Sequence, residues 1–506
     1  MDVRTLMRRA VQFNAVRPAI ITEDRTLSFA EAWERGCRLA NGLISHGVLP
    51  GDRVAGLEDN NLAAADFFIG CAIAGAVRVP LYPRNSPEAH DHMVGHTDCK
   101  LVMTDATYAA SLTDLRVPVV VRDSGYEAWL AAQPSRDPDV GIAEDDWYVI
   151  RHSGGTTGRP KGVGYTHKDW LLVCRNWMYP IARLHSDSVV GHAGPISHGS
   201  GYLFIPGWLH GAANLLFGAF EPAKVLTMMA QHRMSHMFVV PTILNAMVRD
   251  PLARSLDFSA LSALAVGGAP ITDDTALLAH DVFGDTLYQG FGQTEALPIS
   301  FMGPHEWFGS VEGSTPLRSA GRVMPFAEIE IWDDDHRPLA IGGEGEIVAK
   351  VEGQMRGFWD DPELSATRVI DGWVLTGDIG RLDTNGYLYV LDRADDMIIS
   401  GGFNIWPAEL ETVLADHPAV IEAAVFGVPD ARWGETPVAH VCVADPEAVT
   451  EAELIALCAD RLGSYKKPSS VVLTTEPLPK SPVGKIQRKV LREPYWTGHD
   501  RRVAGN

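Results

Sequence analysis

Ten residues, Ser153-Gly-Gly-Thr-Thr-Gly-Arg-Pro-Lys-Gly162, hold the densest chemistry in the chain. Glycines let a backbone approach a polyphosphate closely, the hydroxyls of Thr156 and Thr157 donate to phosphate oxygens, and Lys161 adds positive charge. Preceded by the apolar, strand-like Trp147-Tyr-Val-Ile150, the decapeptide reads as a phosphate loop. It is not a Walker A loop, which needs Gly-Lys followed by Ser or Thr, because Pro160 precedes Lys161 and Gly162 follows it. A second concentration of charge lies near the C-terminus. Between Arg461 and Arg492 there are eight basic residues (Arg461, Lys466, Lys467, Lys480, Lys485, Arg488, Lys489 and Arg492) and one acidic, Glu476, a local +7 that reads as an anion site. No GxSxG elbow, HExxH or GxGxxG fingerprint occurs, which removes the main support for serine hydrolase, zincin and dinucleotide dehydrogenase readings. The nearest approach, Gly290-Phe-Gly-Gln-Thr-Glu295, ends in Glu where the third glycine belongs.

The elements that must hold these residues alternate. Short β-rich runs (Val189-Val190, His236 to Pro241, Ala263 to Val266, Thr286 to Tyr288) are interleaved with helical patterns (Pro222 to His232, Asp273 to His280), the mark of α/β layers with mostly parallel strands. From about Gly343 the strands shorten and turn signals multiply, as in Gly345 to Lys350 and Gly386 to Leu391, which predicts a β-rich subdomain over about 320–392. The last ~115 residues carry their own pattern, with strands Ala423 to Val428, Val438 to Val443 and Val471 to Thr474 around a helix Glu451 to Leu462, and so predict a small α+β C-terminal domain. The expected division is 1–392, a joint at 393–396 in a charged stretch, and 397–506.

The 506 residues allow a large buried core, and 46% hydrophobic with 21% charged residues is ordinary globular usage. A net charge of −21 provides no chain-wide footprint for nucleic acid or anionic lipid, so an anionic ligand needs a local basic site. Six scattered cysteines without a CxxC pair indicate neither zinc site nor disulfide framework, and a reducing, cytoplasmic compartment fits them. The longest apolar run, Phe67 to Val77, is half the about 20 residues of a membrane span and reads as a buried helix.

The loop resembles the signature of the ANL adenylate-forming superfamily of acyl-CoA synthetases, carrier-loading adenylation domains and luciferases. Five further matches follow in the family's order over almost the whole chain: Val266-Gly-Gly-Ala-Pro270, Gln289-Gly-Phe-Gly-Gln-Thr-Glu295, Thr376-Gly-Asp378, Asp392 to Asn404, and Pro482-Val-Gly-Lys-Ile486. The resemblance implies ATP, Mg²⁺ and CoA as cofactors and a carboxylate that attacks the α-phosphorus while pyrophosphate departs, so cations must neutralise two meeting anions. It makes Lys485 the lysine that bridges carboxylate and α-phosphate, Glu295 and Thr156 oxygen ligands for Mg²⁺, and Thr294 an α-phosphate contact. Ser153, Gly155, Thr156, Thr157, Gly158 and Lys161 are then the phosphate loop. Asp378 and Arg393 hold the ribose, while Gly267, Gly268, Ala269, Gln289, Gly290, Phe291 and Gly292 form the adenine slot, with Phe291 standing where relatives usually carry Tyr. His198 resembles the histidine between acyl pocket and thiol entrance.

Thioester formation requires a rebuilt site, which the family obtains by rotating the C-terminal domain at a hinge, here Asp395. Gly401 and Gly402 would leave room for the pantetheine arm, with Trp433 and Lys466 contacting CoA; relatives often have Gly-Gly-Glu-Asn where this chain has Gly-Gly-Phe403-Asn404. The implied acyl pocket reads Ile243, Leu244, Met247, Ala296, Leu297, Pro298 and Ile299, with Trp177 and Trp208 nearby. No acidic residue stands where an amino-acid-activating domain places Asp, so a small-molecule hydrophobic carboxylic acid, aryl, fatty or polycyclic, is expected. An acid–CoA ligase leads this reading. Transfer of acyl-AMP to a carrier protein or downstream enzyme, a luciferase-like oxygenase and a non-catalytic acyl or nucleotide sensor are its rivals; nucleic acid and a membrane span are not expected.

Overall fold

The computed structural model describes residues 1–83, 85–112, 115–153, 160–393, 396–400, 403–430, 433–463, 466–480 and 486–497, with backbone alone at 393, 399, 403, 404 and 434. Two sheets with mostly parallel strands dominate the N-terminal part. One has six strands in the order Val119–Arg122, Cys99–Asp105, Arg53–Leu57, Val77–Leu81, Trp147–Ser153 and Lys161–Thr166, parallel until the last pair turns antiparallel. The other has nine, parallel from Leu287–Gln293 through Ala263–Gly267, His236–Val239, Val189–His192 and Ala213–Leu216 to Pro18–Ile21, with antiparallel strands beyond each end.

The largest apolar cluster draws on the helices Phe29–Ser45, Leu62–Ala74 and His167–Met178 and on strands of both sheets. Parallel strands covered by helices on both faces are buried throughout, so Ala263–Gly267 is apolar at every position and Val77–Leu81 is buried at every position, its Arg78 lying over the Phe68 ring at 3.8 Å. The run Phe67 to Val77 divides between two elements. Its helix stops at Ala74 because Gly75 takes φ +67° and returns its N–H to the Cys71 carbonyl, and Val77 opens a strand. Likewise the apolar stretch from His236 leaves the sheet after Val239, because Pro241 starts a helix, Pro241–Arg249.

Residues 327–393 form an antiparallel five-stranded sheet. A further sheet, Phe403–Ile405, Ile398–Ser400, Gly434–Val443, Val420–Asp430 and Ser470–Thr474, packs helices Pro407–Ala415 and Glu451–Leu462 on a core of its own. This is the expected α/β architecture: a large N-terminal part of mostly parallel layers with a β-rich appendage, and a small α+β C-terminal part.

Ion pairs and a hydrogen bond cross the charged stretch near Asp392, beside the expected joint. Asp392 is 6% exposed, accepts the Ala408 N–H at 2.8 Å and is ion-paired to Arg488 at 2.7 Å, and Arg488 also reaches Glu411 at 2.6 Å and Asp396 at 3.1 Å. One guanidinium thus ties the helix Arg488–Trp496 to the strand end at Asp392 and to the helix Pro407–Ala415.

Candidate active site

The candidate site lies at the carboxyl ends of parallel strands, where open α/β sheets leave a crevice. Ser153 ends Trp147–Ser153 and lies directly across from Lys161, so both ends of the phosphate loop are held in antiparallel register although 154–159 fall outside the described residues. The Ser153 hydroxyl donates to Glu295 at 2.8 Å, and the Tyr165 hydroxyl donates to the Thr294 carbonyl. Those two bonds dock the loop's base onto the turn that joins Leu287–Gln293 to Ala296–Met302. Lys161 extends over the Phe358 ring, 5.8 Å from its centre.

Gly267 and Gly290 are neighbours in register, and a Cβ on Gly267 would stand 2.5 Å from the Gly290 carbonyl oxygen, while one on Gly290 would strike the Phe301 ring at 2.6 Å. Only glycine fits there. Gly268, at φ +84°, then turns the chain out of the sheet, with half-buried Phe291 and Gly292 on the adjacent strand. Gln293 donates to the Thr376 carbonyl at 3.0 Å, which fastens the β-rich appendage to the crevice. Asp378, 5% exposed, is held by a hydrogen bond from its own N–H to the Thr376 hydroxyl at 3.0 Å, and its cross-strand partner is Arg393. The two expected ribose contacts are therefore adjacent in the backbone. Glu346, whose carboxyl is pushed up by burial, accepts the Gly377 N–H at 2.8 Å and shapes this turn.

His198 lies beside the same strand as Ser153: Arg151 Nη2 donates to its Nδ1 at 2.9 Å, and the Tyr82 ring meets it edge-on at 5.0 Å. On the opposite face His152 is 2% exposed, and burial, with His96 and His92 nearby, drives its imidazole down to about 3. Sequence reasoning missed Arg151, Tyr165 and Glu346. The signal for Arg151 was a charged residue continuing an otherwise apolar strand.

Several expectations change. Trp208, expected near the acyl pocket, is fully buried against Phe29, with ring centres 4.7 Å apart, and donates to the Met7 carbonyl at 3.1 Å. Leu244 and Met247 pack into a core with Val239 and Val266. Trp177 stacks on Tyr202 at 5.1 Å, with Phe238 and Phe301 edge-on. Trp433 is 46% exposed, and Lys466 is ion-paired to Glu409 at 2.5 Å. The local +7 is largely neutralised, because Arg461, Lys466, Lys480, Arg488 and Arg492 each meet a carboxylate from 392–422, outside the window that was counted. Gly155, Thr156, Thr157, Gly158, Asp395, Gly401, Gly402, Lys485 and the Arg393 side chain lie outside the described residues.

For Mg²⁺, a hard cation that takes oxygen ligands, the half-buried Glu295 carboxylate with the Ser153 hydroxyl beside it offers a suitable donor set, although among the described residues no group of three or more acidic, His or Cys side chains could hold a metal ion. Among the described residues no helix is long and apolar enough to cross a membrane.

The model of AMP-binding enzymes matches residues 7–359, and that of the AMP-binding enzyme C-terminal domain matches 409–485. The chain belongs to the AMP-binding enzyme family. Within these adenylate-forming enzymes it falls in the acyl-CoA synthetase branch. It is 36% identical to a feruloyl-CoA synthase from an Amycolatopsis species, over 93% of this chain and 94% of that one. It is 32% identical to a long-chain fatty acid–CoA ligase of Mycobacterium tuberculosis, with 93% and 94% covered. Among solved structures, ATP-bound MatB from Rhodopseudomonas palustris superimposes with a TM-score of 0.87 at 27% identity, covering 99% of this AMP-binding enzyme and all of that chain.

Proposed function

We propose that this enzyme activates a carboxylic acid bearing an apolar body to acyl-AMP and then transfers the acyl group to CoA. The carrying observation is the Ser153–Glu295 hydrogen bond, which seats the base of a phosphate loop against Gln289–Glu295 at the mouth of the crevice where Asp378 and Arg393 face each other across strands. In the first step a carboxylate oxygen attacks the α-phosphorus and the bond to pyrophosphate breaks; in the second the CoA thiol sulfur attacks the acyl carbon, the bond from that carbon to the phosphate oxygen breaks, and AMP leaves while the thiol's proton passes to water. Lys161 and the loop hydroxyls hold the triphosphate, Asp378 and Arg393 the ribose, and the Gly267–Ala269 wall with Phe291 the adenine. Mg²⁺ at Glu295 and Thr156 would offset phosphate charge. Lys485 brings the cation that lets two anions meet, and rotation at Asp395 replaces it with the Gly401-Gly402 segment, opening a path for pantetheine past exposed Trp433.

The relatives' named substrates, ferulate, a long-chain fatty acid and, in a Rhodococcus jostii relative 31% identical, a methyl-dioxo-octahydroindenyl propanoate, all join a carboxylate to an apolar body. The aromatic group Trp177, Tyr202, Phe238 and Phe301 supports such an acid here. Six buried, unbridged cysteines support a reducing, cytoplasmic setting. Pyrophosphate release measured over aryl, fatty and polycyclic acids, with CoA, with a phosphopantetheinyl carrier, or with neither, tests the reading. Acyl-CoA formation is expected; acyl-AMP that turns over only with the carrier would overturn CoA as acceptor, and no pyrophosphate with any acid would overturn adenylation.

A further inference from the structure

Side chains alternate across the strand Trp147–Ser153, so Arg151 shares with Ser153 the face that looks into the crevice. Arg151 is 1% exposed, its Nη1 is buried with no hydrogen-bond partner, and among the described residues no carboxylate pairs with it. Its guanidinium carbon sits 4.6 Å from the Tyr202 ring centre and 5.7 Å from that of Trp170, so π faces take the place of a counter-ion. The hydroxyls of Tyr202 and Tyr82 also act on the guanidinium, and its Nη2 donates to His198 Nδ1 at 2.9 Å.

That contact has a single polarity. Arginine carries only donors and stays protonated, so Nδ1 must accept through its lone pair. A neutral imidazole has one N–H, which is then on Nε2. An imidazolium would instead aim a second donor, and a second positive charge, at the guanidinium. Among the described residues the other titratable groups acting on Arg151 are the phenols of Tyr82 after Val77–Leu81, Tyr165 from Lys161–Thr166 and Tyr202 from Gly199–Leu203, and the buried Arg78 guanidinium from Val77–Leu81, with the Trp170 indole from His167–Met178 beside them. Burial pushes the Tyr82 hydroxyl up to about 12 and Tyr165 well above its ordinary range, so both stay neutral; Glu295 acts on Tyr165 from the far side.

We infer that Arg151 is a positioning residue that fixes His198 as a neutral hydrogen-bond donor, protonated on Nε2, which serves an oxygen of the acyl group and takes no proton during thioester formation. The identity of that oxygen rests on the function proposed above; the tautomer does not. Nitrogen-15 NMR of the full chain, with the His198 signals identified by their loss in His198→Gln, should show Nε2–H and no titration between pH 5.5 and 8. A proton on Nδ1, or a titration near 6.5, overturns the inference. In Arg151→Met the titration should rise to about 6.5, and kcat for thioester formation from supplied acyl-AMP should gain an acid limb there; Arg151→Lys, which keeps a charged donor, should restore the flat profile. A folded Arg151→Met with an unaltered profile contradicts the assignment, and if that variant does not fold, the tautomer in the native chain still decides it.

Discussion

At the crevice, residues far apart in the chain meet through backbone register, whereas in the C-terminal tail they meet through charge. Val266 lies opposite Gln289, Gly267 opposite Gly290, Ser153 opposite Lys161 and Asp378 opposite Arg393, so each motif is placed by strand pairing and a glycine that admits no side chain. In the tail Arg488 gathers Asp392, Asp396 and Glu411, and Lys480 and Lys466 take Glu422 and Glu409. The difference teaches that a short motif reports on local backbone geometry and survives folding intact, while a local charge count does not, because folding brings in counter-charges from elsewhere.

The sharpest break of this comparison is Lys485→Ala. Pyrophosphate release should fall about 100-fold or more, as when a preorganised charge is removed from a transition state, while acyl-CoA formation from supplied acyl-AMP is largely kept. Equal loss of both would mean that the tail does not alternate at one site. Asp378→Ala should raise the apparent KM for ATP by about tenfold, the cost of one charged hydrogen-bonding partner, with acid preference unmoved; a changed acid preference would displace the ribose from that turn.

Arg488→Met tests the charge-built region through stability. Removing the shared cation leaves Asp392 buried and uncompensated, so the expected loss is about 3 kcal/mol, read from denaturant unfolding. Lys466→Met should cost well under that, about 0–1 kcal/mol, because its pair with Glu409 is partly exposed, and should leave the KM for CoA nearly unchanged. A rise in that KM would return Lys466 to the CoA site despite Glu409.

A last expected effect is acid sensitivity that is strongest in the parallel-sheet region. Burial lowers His167 and His192 to about 4 and His152 to about 3 in the folded chain, against about 6.5 unfolded. The unfolded state thus binds more protons between these values, and the stability the neutral rings contribute is present above about 6.5 and lost as pH falls towards 4. Hydrogen exchange at pH 7 and pH 5 should show faster opening around Val189–His192 and His167–Met178 at the lower pH, with a smaller change in Val420–Asp430, where His440 across from Ala424 is also lowered by burial; His192→Gln should reduce the difference.

What was legible in the amino-acid order was what depends on neighbours along the chain. The helix Glu451–Leu462 has its Thr450 cap and first-turn acids in sequence, strand alternation marked the parallel layers, and the phosphate loop's glycines and hydroxyls are contiguous. Folding alone decided which residues stand across from one another. That Trp208 belongs to a core with Phe29, that the tail's cations are already engaged, and that Arg151 donates to His198 all depend on contacts between residues 45 to 179 positions apart in the chain, distances at which no local pattern carries a signal. Apolarity and charge say only that a side chain must be buried or paired, and the fold, by satisfying every such demand at once, selects the partner.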